Sequence, residues 1–135
     1  MDQRVLQTFE ASLERCDTIP GFLDRFYEIF LGSSPKVKEK FAKTDFVHQK
    51  IALRASLYAM LLAAKDTNGG PGKYLDAYAE RHSSRDLNIG AELYDLWLDS
   101  LLQAVKEHDP DCSPEVLDAW EQVMMIGISY LLSRY

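Results

Sequence analysis

Cysteine is scarce in this chain: Cys16 and Cys112 are the only two in 135 residues. They lie far apart, and a chain of this length can bury a core without a covalent staple. Two free thiols in a cytoplasmic protein are therefore expected. Long apolar runs are absent too. None approaches the ~20 residues that span a bilayer, so no membrane partner is expected. The opening residues, MDQRVLQTFEASLER, are charged and amphipathic and do not form a secretory signal. Basic residues are the minority, 15 Lys and Arg against 21 Asp and Glu, with a formal charge of −6. Nucleic-acid affinity rests mainly on neutralising phosphates, so no nucleic-acid partner is expected either. His48, His82 and His108 are too scattered for a zinc cluster, and no His-Glu-x-x-His or Cys-x-x-Cys occurs. There is no Gly-x-Ser-x-Gly and no phosphate loop. Alternating strands, internal repeats and low-complexity tracts are also missing.

What is present is helical periodicity in a chain that is 47% hydrophobic, enough for a core in one domain over residues 1–135. Val5, Leu6, Phe9 and Leu13 repeat at helical spacing. Thr18, Pro20 and Gly21 break that helix. Phe22, Leu23, Phe26, Tyr27 and Phe30 form a second stripe, rich in rings. Ser34 is the expected N-cap of a short helix, with Pro35 in its first turn, where the missing N–H costs nothing. This helix should end near Phe41. Residues 45–65 carry the longest pattern, with Phe46, Gln49, Leu53, Leu57, Met60 and Leu61 on one face. Gly69, Gly70, Pro71 and Gly72 mark the clearest loop. Ile89, Leu93, Leu96, Trp97, Leu101 and Ala104 mark another helix. The segment from His108 to Cys112 turns the chain, and His108 is expected to be exposed there. Ser113 and Pro114 then cap the last helix, whose apolar face holds Val116, Trp120, Val123, Met124, Gly127 and Leu131. Seven helices with short connections make an all-α domain that fits a plain up-down bundle poorly.

Residues 73–89, KYLDAYAERHSSRDLNI, carry the most suggestive chemistry. Leu75, Tyr78, Ala79 and His82 share a helix face, and the helix ends in the polar run Ser83, Ser84, Arg85, Asp86. A charged imidazole suits a helix C-terminus. A neutral one held by packing can instead offer a ring nitrogen to a metal. Elsewhere Gln49 and Tyr27 are polar groups on apolar faces. Apolar helices with a few polar groups pointing inward suit a large flat apolar ligand whose metal the histidine binds.

Over essentially its whole length the chain resembles the globins, in particular the globin domains of bacterial flavohaemoglobins and their single-domain relatives. Pro35 and Phe41 sit six residues apart, and Tyr27 lies fourteen before Phe41. Gln49-Lys50-Ile51-Ala52-Leu53 resembles the family's Gln-Arg-x-Ala-Leu stretch. Arg81-His82 followed by Leu87 and Ile89 is similar to its proximal histidine and the corner beyond. Glu115-Val116-Leu117-Asp118-Ala119-Trp120 is similar to the start of its last helix. The resemblance implies a globin fold of about seven helices around a pocket for haem b. His82 would be the iron ligand, and Tyr27 and Gln49 the distal polar pair. Phe41 would pack on the porphyrin, and Leu53, Tyr78, Leu87 and Ile89 would line the pocket. A one-residue shift in register would turn His48 inward in place of Gln49. Its companions Ala52 and Ser56 are less apolar than Leu53 and Leu57, which favours Gln49 and leaves His48 solvated. The family's proximal tyrosine has no clear counterpart: Glu92 falls at the unshifted spacing from His82, and Tyr94 fits only with two residues inserted.

The leading functional expectation is reversible binding of dioxygen, with carbon monoxide and nitric oxide as further ligands. A buried phenol or amide would stabilise a polarised diatomic ligand by roughly 1–2 kcal/mol. The alternatives are a nitric oxide dioxygenase and a gas or redox sensor. The sequence contains no flavin or nicotinamide domain, so a reductase, where one is needed, is expected on a separate chain.

Overall fold

The computed structural model describes residues 1–66, 68–85 and 87–135. Asp86, which closes the polar run after His82, lies outside the described residues, as does Thr67. Among the described residues seven helices occur: α1 (Gln3–Asp17), α2 (Phe22–Ser33), α3 (Pro35–Lys40), α4 (Phe46–Lys65), α5 (Gly72–His82), α6 (Ala91–His108) and α7 (Pro114–Ser133). No strand occurs among the described residues.

The helix starts follow from local chemistry. The Ser34 hydroxyl accepts from the Lys36 N–H at 3.2 Å, and Pro35 opens α3. The Asp45 carboxylate accepts from the Val47 N–H at 3.0 Å and starts α4. Ser113 does the same for Val116 at 3.2 Å, ahead of Pro114. Each such cap contributes about 1 kcal/mol. Gly21 adopts φ +89°, which lets α2 begin directly behind the turn that ends α1. Helix α6 starts at Ala91, so Ile89 precedes it and is not a part of its first turn.

Helix α2 packs along α6, and α7 lies against α1, α4, α5 and α6. Gly127 lets α7 and α4 close: a Cβ there would stand 2.8 Å from Met60 Cε. The core between them holds Phe9, Phe26, Leu57, Leu75, Leu101, Trp120 and Met124, all under 2% exposed. Phe9 meets Trp120 edge-on at 4.8 Å.

One polar network crosses this core. The Trp120 indole donates to Ser12 Oγ at 2.8 Å, and the Ser12 hydroxyl donates to Asp109 at 2.6 Å. The Arg15 guanidinium donates twice to the same carboxylate, at 2.7 and 2.8 Å. Burial pushes the Asp109 carboxyl up, but Arg15, Ser12 and the Asp111 N–H outweigh it and hold it below the usual carboxylate range. Cys16 and Cys112 are both free thiols. Burial pushes Cys16 up to about 12, so it behaves as a small apolar core residue.

His108 departs from expectation. It is half-buried, donates from Nδ1 to the Ala104 carbonyl at 2.9 Å, and meets the Phe22 ring edge-on at 5.8 Å. The cause is position: it ends α6 on the side facing α2, and α2 covers its ring. Among the described residues no helix is long and apolar enough to cross a membrane.

Candidate functional site: a cavity between α2, α4 and α5

A cavity of about 330 Å³ opens among the helices. That volume falls in the ~300–1,000 Å³ range of small-molecule sites. Tyr27 and Phe30 of α2, Val37 and Lys40 of α3, and Phe41 behind α3 line one part. Helix α4 adds Gln49, Ala52, Leu53, Ser56 and Met60. Helix α5 adds Leu75, Tyr78, Arg81 and His82, followed by Leu87 and Ile89 of the connecting segment. Leu93, Tyr94 and Trp97 of α6 and Leu131 of α7 complete the wall. The sequence-derived candidates Tyr27, Phe41, Gln49, Leu53, Tyr78, His82, Leu87 and Ile89 thus all face one cavity.

His82 ends α5 and is half-buried. Its Nδ1 lies 2.7 Å from the Tyr78 carbonyl oxygen. A carbonyl only accepts, so Nδ1 carries the proton, and Nε2 is the ring nitrogen that a neutral imidazole would offer to a metal. The segment behind the ring is equally defined. The Ile89 N–H donates to the His82 carbonyl at 3.0 Å, and the Asn88 N–H to the Ser83 carbonyl at 2.9 Å. Asn88 sits at φ +56°, a conformation that asparagine tolerates better than most residues. This fold-back brings Leu87 and Ile89 against the cavity although neither belongs to a helix.

Tyr27 is 5% exposed among Phe26, Phe41 and Phe46, with ring centroids 4.9, 5.9 and 5.2 Å away. Burial pushes its phenol up to about 12, against the opposing effect of a hydrogen bond from the Gln49 side chain. The phenol therefore stays protonated at neutral pH and keeps an O–H to donate. Gln49 is half-buried, whereas the His48 side chain is 82% exposed and paired to Asp45 at 2.8 Å. The face of α4 turned inward is thus that of Gln49, Leu53 and Leu57.

Sequence spacing did not place Tyr94. It is 7% exposed, its ring lies 6.4 Å from that of His82, and burial pushes its phenol far above the usual range. Its hydroxyl is the one buried side-chain polar atom without a hydrogen-bond partner among the described residues. Glu92, at the simpler spacing, points outward and pairs with Lys36 at 3.0 Å. At the edge of the cavity Lys40 Nζ donates to the Leu87 carbonyl at 2.6 Å, tying α3 to the segment behind His82.

The donor set narrows the chemistry. No group of three or more His, Cys, Asp or Glu side chains that could hold an ion occurs among the described residues. One imidazole in an apolar cavity is a poor cage for a bare ion. It suits a metal that brings most of its own ligands in a flat organic frame.

Comparison with known proteins agrees. No curated protein matches the chain significantly. A protein of Pseudomonas aeruginosa PAO1, described as structurally highly homologous to a human haemoglobin, is 44% identical to this chain and superposes with a TM-score of 0.92. The match covers 97% of this chain and 98% of that one. The family model described as Globin matches residues 24–129, most of the all-α chain and a span that contains every lining residue of the cavity except Leu131, so the chain belongs to the globin family.

Proposed function

We propose that this globin holds haem b in the cavity, with His82 Nε2 as the protein's ligand to the iron, and binds dioxygen reversibly beside Tyr27 and Gln49. The observation that carries the reading is a single cavity lined by an imidazole whose Nδ1 is bonded to the Tyr78 carbonyl, and by a buried phenol and a half-buried amide from two other helices. The unpartnered Tyr94 hydroxyl supports it, because a buried polar atom left without a partner fits a wall that is completed by an occupant.

Haem, held by His82, would supply an iron able to bind a diatomic gas. The residues do the rest. The Tyr78 carbonyl fixes the ring of His82 and raises its basicity, as outer partners of metal-binding histidines do. Tyr27 keeps an O–H that it would donate to a polar diatomic ligand in the pocket, and Gln49 would orient that phenol. Phe30, Phe41 and Leu53 keep the pocket apolar, so the donated hydrogen bond acts in a low dielectric. Carbon monoxide and nitric oxide would enter the same space.

The test is spectroscopic. Purified protein mixed with haem should give a Soret band, and His82→Gly should lose stable haem or be rescued by added imidazole. Normal haem retention with an unchanged ferrous spectrum in that variant would overturn the assignment.

A further inference from the structure

The outward face of α4 differs from the rest of the surface. The chain has 21 acidic residues, yet the 20 residues of α4 contain none. Val47 and Ile51, one turn apart on this helix, are the most exposed large apolar side chains among the described residues, at 67% and 64%. Ala52 and Ala55 beside them are exposed as well. Single exposed apolar residues are ordinary, but a stacked pair with small neighbours makes a patch.

Charge is distributed unevenly along the stretch that leads into this patch. Residues 36–50 hold five lysines against two acids, a net of +3, in a chain whose formal charge is −6. The other 120 residues therefore carry −9. Lys36 is tied to Glu92, Lys50 to Asp24, and Arg54 to Asp17 at 2.7 Å, while Lys43 has no acidic partner among the described residues. An acidic partner is repelled by most of this protein and attracted to one side of it. A second copy of the chain docked symmetrically would set the same cations against one another.

The patch also lies directly over the site. Gln49 and Ala52 line the cavity from the same two turns that carry Val47 and Ile51, and Lys40 lies at the cavity edge. A partner seated there stands about one helix thickness, ~10 Å, from the cavity. We infer that the Val47–Ile51 face of α4, with Lys43 and Lys50 flanking it in sequence, docks an acidic one-electron carrier protein that returns the haem iron to the ferrous state. The inference rests on the haem reading above. One electron leaves the carrier and ferric iron becomes ferrous, and no bond is made or broken.

Flavodoxin, a small acidic flavin protein, serves as the probe. Oxidised flavodoxin is titrated into ¹⁵N-labelled, haem-loaded protein held diamagnetic as its carbon monoxide complex. Amide shifts should centre on residues 43–55. The interaction should be strong at ~20 mM salt and largely gone at ~300 mM, as the Debye length shrinks. Ile51→Glu, on the exposed face, should keep the Soret band and weaken binding about tenfold. It should slow reduction by flavodoxin hydroquinone to a similar degree and leave reduction by dithionite unchanged. Shifts centred elsewhere, a silent titration, or an unaffected Ile51→Glu variant would overturn the docking face while a normal Soret band keeps the haem reading intact. Binding to phosphatidylglycerol vesicles in place of flavodoxin would overturn it in favour of a lipid surface. Self-association abolished by Ile51→Glu would overturn it in favour of a second copy. Absence of haem uptake by the wild type would instead sink both readings.

Discussion

Replacing Tyr94 by Phe tests whether the cavity is built around an occupant. The Tyr94 hydroxyl is buried without a partner beside His82. A buried polar group left unsatisfied costs roughly 1–3 kcal/mol, and the phenylalanine ring keeps the packing with only a small void. Haem-free protein should therefore gain about 1 kcal/mol in Tyr94→Phe. With an unfolding entropy of ~2.1 cal/mol/K per residue, a chain of 135 residues has a total near ~0.28 kcal/mol/K, so Tm should rise by about 3–4 °C. With haem loaded, the phenol gains access to polar groups of the occupant or to water held with it. The stabilisation should then shrink to zero or change sign. The assay is urea unfolding of both proteins with and without haem, read by far-ultraviolet circular dichroism. A loss of more than ~1 kcal/mol in the haem-free variant would show that the hydroxyl already has a partner. An equal gain in both states would show that it never meets the occupant. Either result would refute the reasoning.

Three further outcomes are expected. Tyr27→Phe should speed dioxygen release roughly tenfold if the lost hydrogen bond is worth about 1.4 kcal/mol, with a smaller effect on carbon monoxide; stopped-flow displacement measures both. His48→Ala should leave the ferric absorption spectrum nearly unchanged, because that side chain is solvated, while Gln49→Leu should change dioxygen affinity a few-fold in an equilibrium titration. Asp109→Asn should cost about 2 kcal/mol in denaturant unfolding, since it weakens two charge-assisted hydrogen bonds from Arg15, which keeps only the exposed Asp111 at 3.8 Å. The pH sign follows from the lowered folded value of Asp109. Its contribution is fully present above the unfolded pKa near ~3.9 and is lost as pH falls through the folded value, so the variant should lose less stability on acidification than the wild type.

Much of this protein was legible in the sequence because the signals are local. Caps at Ser34, Asp45 and Ser113 act within three residues, and helical periodicity groups Leu75, Tyr78, Ala79 and His82 whatever surrounds them. The same periodicity puts Gln49 with Leu53 and Leu57 and sets His48 aside. What periodicity cannot specify is which face of one helix turns to which face of another, and how a connecting segment spends its length. Tyr94 shows the difference. Counting from His82 put Glu92 at the unshifted spacing and Tyr94 two residues beyond it, and left the position open; the segment carrying Asn88 at φ +56° and the Ile89-to-His82 hydrogen bond precedes α6, on which Tyr94 is the one buried. His108 read as exposed from its polar neighbours, and only the packing of α2 on α6 gave its ring a partner in Phe22. The sequence by itself determined the helices, their ends and the inward polar groups, because those depend on neighbours along the chain. The tertiary structure alone decided that groups from α2, α4, α5 and α6 share one cavity, because that depends on surfaces brought together from distant parts of it.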